Sequence, residues 1–199
     1  MTALNDIDLV LGSTSPYRRE LLARLTPHFR TDSPHVDETP LPNETPTALA
    51  VRLAKSKAAA VAEKCPGAIV IGSDQVADLD GVALGKPGSI ENATRQLQAC
   101  SGRDVIFHTA ICVIDARSSR MITFEAVDTT RVKFRALEDA EIARYVEREK
   151  PLDCAGSFKA EGIGIALFET IESIDPTALI GLPMIALCNL LRRAGIALL

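Results

Sequence analysis

Two spacings of apolar residues recur along this chain: short unbroken apolar runs, which suit buried strands, and longer stretches with apolar residues three or four apart, which suit helices. Leu9-Val10-Leu11-Gly12 is the first run, and Ile69-Val70-Ile71-Gly72 lies inside a strand predicted over 68–77. Two longer segments, 104–115 and 121–134, are joined by the polar turn 116–120, which predicts an antiparallel pair. Helical spacing predicts a helix from Pro16 with Leu21, Leu22 and Leu25 inward, and one from Thr45-Pro46 to about Lys64 with Leu49, Leu53 and several alanines inward. Further helices are predicted between the cap Ser89 and Ser101-Gly102, over 138–148 with Ile142, Tyr145 and Val146 inward, and finally through Leu191. Residues 30–46, with Pro34, Pro40, Pro42 and Pro46, read as an irregular connection; Asp78-Leu79-Asp80-Gly81-Val82 reads as a hairpin turn, and 163–171 as a strand. The class is α/β, with a mixed, strongly twisted sheet and flanking helices. No repeat or flexible linker divides residues 1–199, so one domain is expected.

Composition narrows the picture. At 199 residues and 47% hydrophobic, the chain has enough apolar material for a core without metal or disulfide support. Cys65, Cys100, Cys112, Cys154 and Cys188 are odd in number and irregularly spaced, neither a disulfide framework nor a zinc pattern. His28, His35 and His108 form no pair at helical spacing, so any metal is expected to be a hard ion on carboxylates. The first eight residues lack the regions of a signal peptide, and no apolar run approaches the roughly 20 residues of a membrane span. A soluble cytoplasmic protein is expected. A net charge of −4 argues against a nucleic-acid duplex as partner, because backbone binding neutralises many phosphates at once. A small phosphorylated ligand needs only a few local cations.

Candidate chemistry begins at Ser13-Thr14-Ser15-Pro16-Tyr17-Arg18-Arg19. Ser15 caps the helix and Pro16 takes its first position, leaving free backbone donors and the positive end of the helix at a hydroxyl-rich turn suited to phosphate. Arg18 and Arg19 in that first turn oppose the helix dipole, a small penalty that an anion would relieve. Two arginines decorating a surface helix is the alternative. Asp74 stands where a buried apolar strand stops, the place where α/β sheets form ligand sites; a turn-capping role is its alternative. Lys86 follows the hairpin and suits folding back over the same strand end, while Glu38 and Lys57 complete a set in which two carboxylates, Glu38 and Asp74, hold a divalent metal and cations hold phosphate oxygens. Taken singly, Glu38 also suits a loop acid and Lys57 and Lys86 surface lysines.

Together these residues resemble the Maf family of nucleoside triphosphate pyrophosphatases. The resemblance runs through Ser13 to Leu22, Asp37-Glu38, Arg52 to Ala58, Gly72-Ser73-Asp74-Gln75, Gly85-Lys86-Pro87, Ala155 to Gly162 and Gly181-Leu182-Pro183, in family order and over nearly the whole chain. It implies two lobes around a deep cleft, an ITPase-like architecture shared with house-cleaning nucleotide pyrophosphatases, and commonly a homodimer. It also implies a divalent metal, Mg2+ or Mn2+, as cofactor, Asp74 as the proton acceptor, and Ser13, Arg18, Glu38, Lys57, Asp74 and Lys86 as the catalytic and phosphate-binding set, to which Ser15 of the helix-capping turn is added as a phosphate-binding residue. Water would attack the α-phosphorus and release diphosphate; without the resemblance, the residues leave attack at the γ-phosphorus open.

Three positions mark the division of this family by substrate. In the branch acting on dTTP and UTP they are typically Arg, Thr and Gln; here they are Tyr17, Gln75 and Glu161. The replacements resemble the branch that hydrolyses 7-methyl-GTP to 7-methyl-GMP and diphosphate. Methylation at N7 makes the purine cationic, which suits the face of Tyr17, and Glu161 suits the N1 and N2 donors of guanine. Alternatives are a dTTP/UTP or other modified-nucleotide pyrophosphatase, or a non-catalytic nucleotide-binding regulator of cell division.

Overall fold

A computed structural model describes residues 2–199. In chain order the strands are β1 (Thr2–Ala3), β2 (Leu9–Gly12), β3 (Arg30–Asp32), β4 (Ile69–Leu79), β5 (Val82–Leu84), β6 (Asp104–Asp115), β7 (Ile122–Phe134), β8 (Phe168–Glu172) and β9 (Ile196–Ala197). The helices are α1 (Pro16–Ala23), α2 (Pro46–Ala62), α3 (Ile90–Cys100), α4 (Asp139–Glu149) and α5 (Met184–Arg193). A seven-stranded mixed sheet runs β3-β2-β4-β6-β7-β8, with β5 also paired to β4. The β2–β3 and β2–β4 pairs are parallel and the other pairs of this sheet antiparallel; β1 and β9 form a separate parallel pair.

The predicted helix starts follow from their caps: Ser15, Thr45 and Ser89 each accept a backbone N–H from the first turn. Three readings need correction. Asp74 does not stand where a strand stops, because β6 pairs with β4 past it and β4 runs unbroken from Ile69 to Leu79, with Asp74 opposite Ala110. Residues 30–46 are not wholly irregular, since the polar segment Arg30–Asp32 pairs with β2 as an edge strand. Residues 163–171 are not one strand, because Ile163–Leu167 is a 3-10 turn and pairing with β7 begins only at Phe168.

Alternation along β4 and β6 assigns each face. Val70 and Val76 of β4, with Ala110, Cys112 and Ile114 of β6, pack under α2. On the other face Ile69, Ile71, Ile111 and Val113 meet α1 and α5. Further along that face, Ala77, Leu79, Val105 and Phe107 meet α3 and α4. The long strands thus carry two groups of helices, one toward each end.

Between them β4 has a gap in its edge. On the side away from β6, β2 pairs with β4 only as far as Gly72, and the pairing with β5 starts only at Ala77, opposite Leu84. Residues 73–76 are therefore open on that side, past the last residue of a parallel strand, where α/β sheets leave a crevice. α2 comes unusually close there, since a Cβ on Gly72 would stand 2.8 Å from the Cβ of Ala58. Among the described residues, no helix is long and apolar enough to cross a membrane.

Candidate active site

The gap opens into a cavity of about 420 Å³, within the usual range for small-molecule sites. Ser15, Tyr17, Arg18, Glu38, Lys57, Asp74, Gln75, Lys86 and Glu161 all line it. Ser13 does not. Its buried hydroxyl lies beneath the turn, where Oγ accepts from Arg18 Nη1 at 3.4 Å and from the Ser15 N–H at 3.2 Å.

Asp74 and Lys57 are 7% and 6% exposed, and they meet because α2 packs on Gly72 while Asp74 points toward α2 from the same strand. Lys57 Nζ lies 2.6 Å from Asp74 Oδ1 and 2.6 Å from Glu38 Oε1. One ammonium therefore bridges both carboxylates and replaces the water each lost. Burial pushes the Glu38 carboxyl up, but its hydrogen bond to Lys57 and the charges of Lys57, Lys86 and Arg18 outweigh burial and leave it below its ordinary value. Glu38 is carried by a loop that Arg52 ties down, through a paired contact to Glu44 and a 3.0 Å bond to the Thr39 carbonyl.

Arg18 and Arg19 diverge, as adjacent helical residues must. Arg18 turns into the cavity and donates from Nε to the Gly181 carbonyl at 2.8 Å, while exposed Arg19 lines a separate shallow hollow with Thr14 and Thr31. Burial lowers the Arg18 pKa, with Asp74 and Glu38 opposing. Lys86, held out after β5, is exposed and has no ion-pair partner among the described residues.

A second group surrounds Tyr17. Burial, followed by the acidic groups of Cys154, Glu161, Asp153 and Glu149, pushes its phenol up to about 12. The segment carrying Cys154 and Glu161 is anchored by Phe158, whose ring packs edge-on against Phe107, Phe134 and Phe168 at centroid distances of 5.2, 5.7 and 4.7 Å. Gly156, at φ +73, makes the turn that lets this segment line the cavity.

Gln75 is less free than its place in the motif implies. Its amide nitrogen donates to Thr109 Oγ1 and to the carbonyls of Ala178 and Leu179, at 3.0, 2.9 and 3.0 Å. The sequence pattern gave Thr109 no role, nor did it mark Gly181 as the anchor of Arg18; both need the tertiary fold to bring 109 and 181 beside 75 and 18.

A metal can be judged from the carboxylates. Oδ1 of Asp74 and Oε1 of Glu38 are taken by Lys57, leaving Oδ2 and Oε2. Among the described residues no group of three His, Cys, Asp or Glu side chains is arranged to hold an ion. Two carboxylate oxygens fit an ion such as Mg2+ that takes its remaining ligands from substrate phosphates and water.

A family model described as a Maf-like protein matches residues 8–194. A protein of Xanthomonas oryzae pv. oryzae named 7-methyl-GTP pyrophosphatase is 60% identical to this chain over 187 residues, covering 94% of this chain and 96% of that protein. One of the same name from Polaromonas sp. is 56% identical over 192 residues, covering 96% and 86%. The solved structure of the Staphylococcus aureus Ham1 protein overlaps 65% of this chain and 72% of its own, at 16% identity and a TM-score of 0.41.

Proposed function

We propose that this chain, which belongs to the Maf family, hydrolyses 7-methyl-GTP to 7-methyl-GMP and diphosphate. The observation that carries the reading is a single cavity with two chemically distinct groups. Arg18, Lys57, Lys86, Glu38 and Asp74 form one, and Tyr17 with Glu161 the other. The first suits a triphosphate and its hydrolysis. The second suits a cationic purine, with an aromatic face for the charge and a carboxylate for the N1 and N2 donors.

In the proposed reaction Asp74 takes a proton from, or orients, a water aimed at the α-phosphorus. Lys57 holds Asp74 and Glu38 in place. Arg18 and Lys86 meet the charge that develops on the departing diphosphate, and Ser13 and Ser15 support the turn from which Arg18 projects. Gln75 sets the wall beside the base. Glu38 and Asp74 would hold Mg2+ or Mn2+ together with phosphate oxygens, and such an ion would neutralise phosphate charge. The proposal places the activity in one domain of a homodimer, as the family likeness implies, and in the cytoplasm, as expected from the sequence pattern.

The test is competition among 7-methyl-GTP, GTP, UTP and dTTP with diphosphate detection. The proposal requires the highest kcat/KM for 7-methyl-GTP. UTP or dTTP leading by about tenfold, a difference of roughly 1.4 kcal/mol in transition-state binding, would replace it with a pyrimidine reading.

A further inference from the structure

We infer that Thr109, which does not line the cavity, is a positioning residue for both groups of the site, acting through the turn at residues 178–181. Thr109 is fully buried on β6, directly across from Gln75 on β4. Its hydroxyl accepts from Gln75 Nε2 at 3.0 Å and donates to the Ala178 carbonyl at 3.0 Å. Gln75 reaches the Ala178 and Leu179 carbonyls, and Ser73 Oγ, two residues before it on the same strand, shares its one proton between the Ala110 carbonyl of β6 at 2.9 Å and the Gly181 carbonyl at 3.0 Å. Three polar side chains thus rise from the sheet to the carbonyls of Ala178, Leu179 and Gly181, and because the Ala178 carbonyl also accepts the Gly181 N–H, the turn is fastened to the sheet and closed on itself at the same atom.

The turn they hold serves both groups. Leu179, Ile180 and Gly181 line the cavity, and the Gly181 carbonyl also receives Arg18 Nε. Gly181 has φ +120, a conformation suited to glycine, and a Cβ there would stand 3.5 Å from Arg18 Nε. A shift of this turn therefore moves an apolar wall of the cavity and the arginine together. Gln75 acts on base choice through the position of that wall, and Thr109 sets the position of Gln75.

The inference rests on the proposed nucleotide hydrolysis for its readout. Thr109→Val keeps the shape and removes both hydrogen bonds, whereas Thr109→Ser keeps the hydroxyl. At a temperature where circular dichroism shows each variant folded, Thr109→Val should lower kcat by about tenfold or more, as expected when a charge-stabilising group is misplaced. It should also narrow the ratio of kcat/KM between 7-methyl-GTP and GTP, and Thr109→Ser should restore both within a few-fold. A purely structural residue would lower the melting temperature alone. Folded Thr109→Val with wild-type kcat and base preference would overturn the inference. If that variant does not fold, Thr109→Ala and Gln75→Met carry the same comparison. Wild-type preference for another base overturns the substrate reading only; the change in kcat is then read on that nucleotide.

Discussion

Lys57 Nζ stands 2.6 Å from both Asp74 Oδ1 and Glu38 Oε1, so a single ammonium joins an acid on the sheet to an acid on the loop that covers it. The two contacts differ in weight, because the side chains of Lys57 and Asp74 are 7% and 10% exposed and that of Glu38 is 48% exposed. Removing Lys57 leaves a buried carboxylate without its partner. Lys57→Met is therefore expected to cost about 3–5 kcal/mol of folding stability, read from urea unfolding. An unchanged midpoint would mean that Asp74 draws its compensation from elsewhere.

Asp74→Asn keeps the volume and a carbonyl acceptor for Lys57 while removing the base. Turnover is expected to fall about 10²-fold or more with nucleotide affinity largely retained. Steady-state kinetics beside a binding isotherm separates the two quantities, and near-normal turnover would take Asp74 out of its proposed role.

Base choice is tested by charge as well as by mutation. Glu161→Gln should reduce kcat/KM for 7-methyl-GTP far more than for UTP, and Tyr17→Ala should add a loss of about 0.5–2 kcal/mol from the missing aromatic face. The neutral analogue 7-methyl-7-deaza-GTP has the same outline without the positive charge. It should be hydrolysed more like GTP than like 7-methyl-GTP. Equal rates for the charged and neutral methylated nucleotides would show that shape, not charge, selects the base.

Asp128 supplies a pH dependence outside the site. Burial, then the nearby charge of Asp175, raises its pKa above 3.8, against hydrogen bonds from the Asp175 backbone and Ser173. The folded state therefore binds its proton more tightly than the unfolded state, and this carboxyl's contribution to stability falls as pH rises from 3.8 through the folded value. Asp128→Asn keeps a carbonyl acceptor and cannot ionise. Its melting temperature should exceed that of wild type at neutral pH, with the difference shrinking as the pH is lowered toward 3.8, in thermal melts across that range. A constant difference would mean that ionisation of Asp128 is not responsible.

What could be read from the sequence was what depends on neighbours in sequence. Ser15 before Pro16, Ser89 before Ile90 and the Asp80-Gly81 turn mark element ends through local hydrogen bonds and backbone preference, and the structure has those ends there. The edge strand Arg30–Asp32 carries no apolar period and exists because β2 offers it a partner. Ile163, Ile165 and Leu167 alternate as a strand would, yet Gly164 packs so tightly on the Lys159 backbone that the segment coils, and pairing waits until Phe168. At the site, Asp74 was legible as a buried acid but its position was not: β4 runs on to Leu79, and the opening beside Asp74 arises because the neighbouring β2 ends at Gly12, which only the sheet pairing reveals. The union of Asp74 with Glu38 through Lys57, and that of Arg18 with Gly181, join residues far apart in sequence and depend on how α2 and the 178–181 turn pack on the sheet.

Water attack on the α-phosphorus of 7-methyl-GTP is checked by hydrolysis in 18O-labelled water, with phosphorus NMR and mass analysis of the products. The expected products are 7-methyl-GMP carrying one solvent oxygen and unlabelled diphosphate. Orthophosphate as the first product, or label in the diphosphate, would contradict attack at the α-phosphorus.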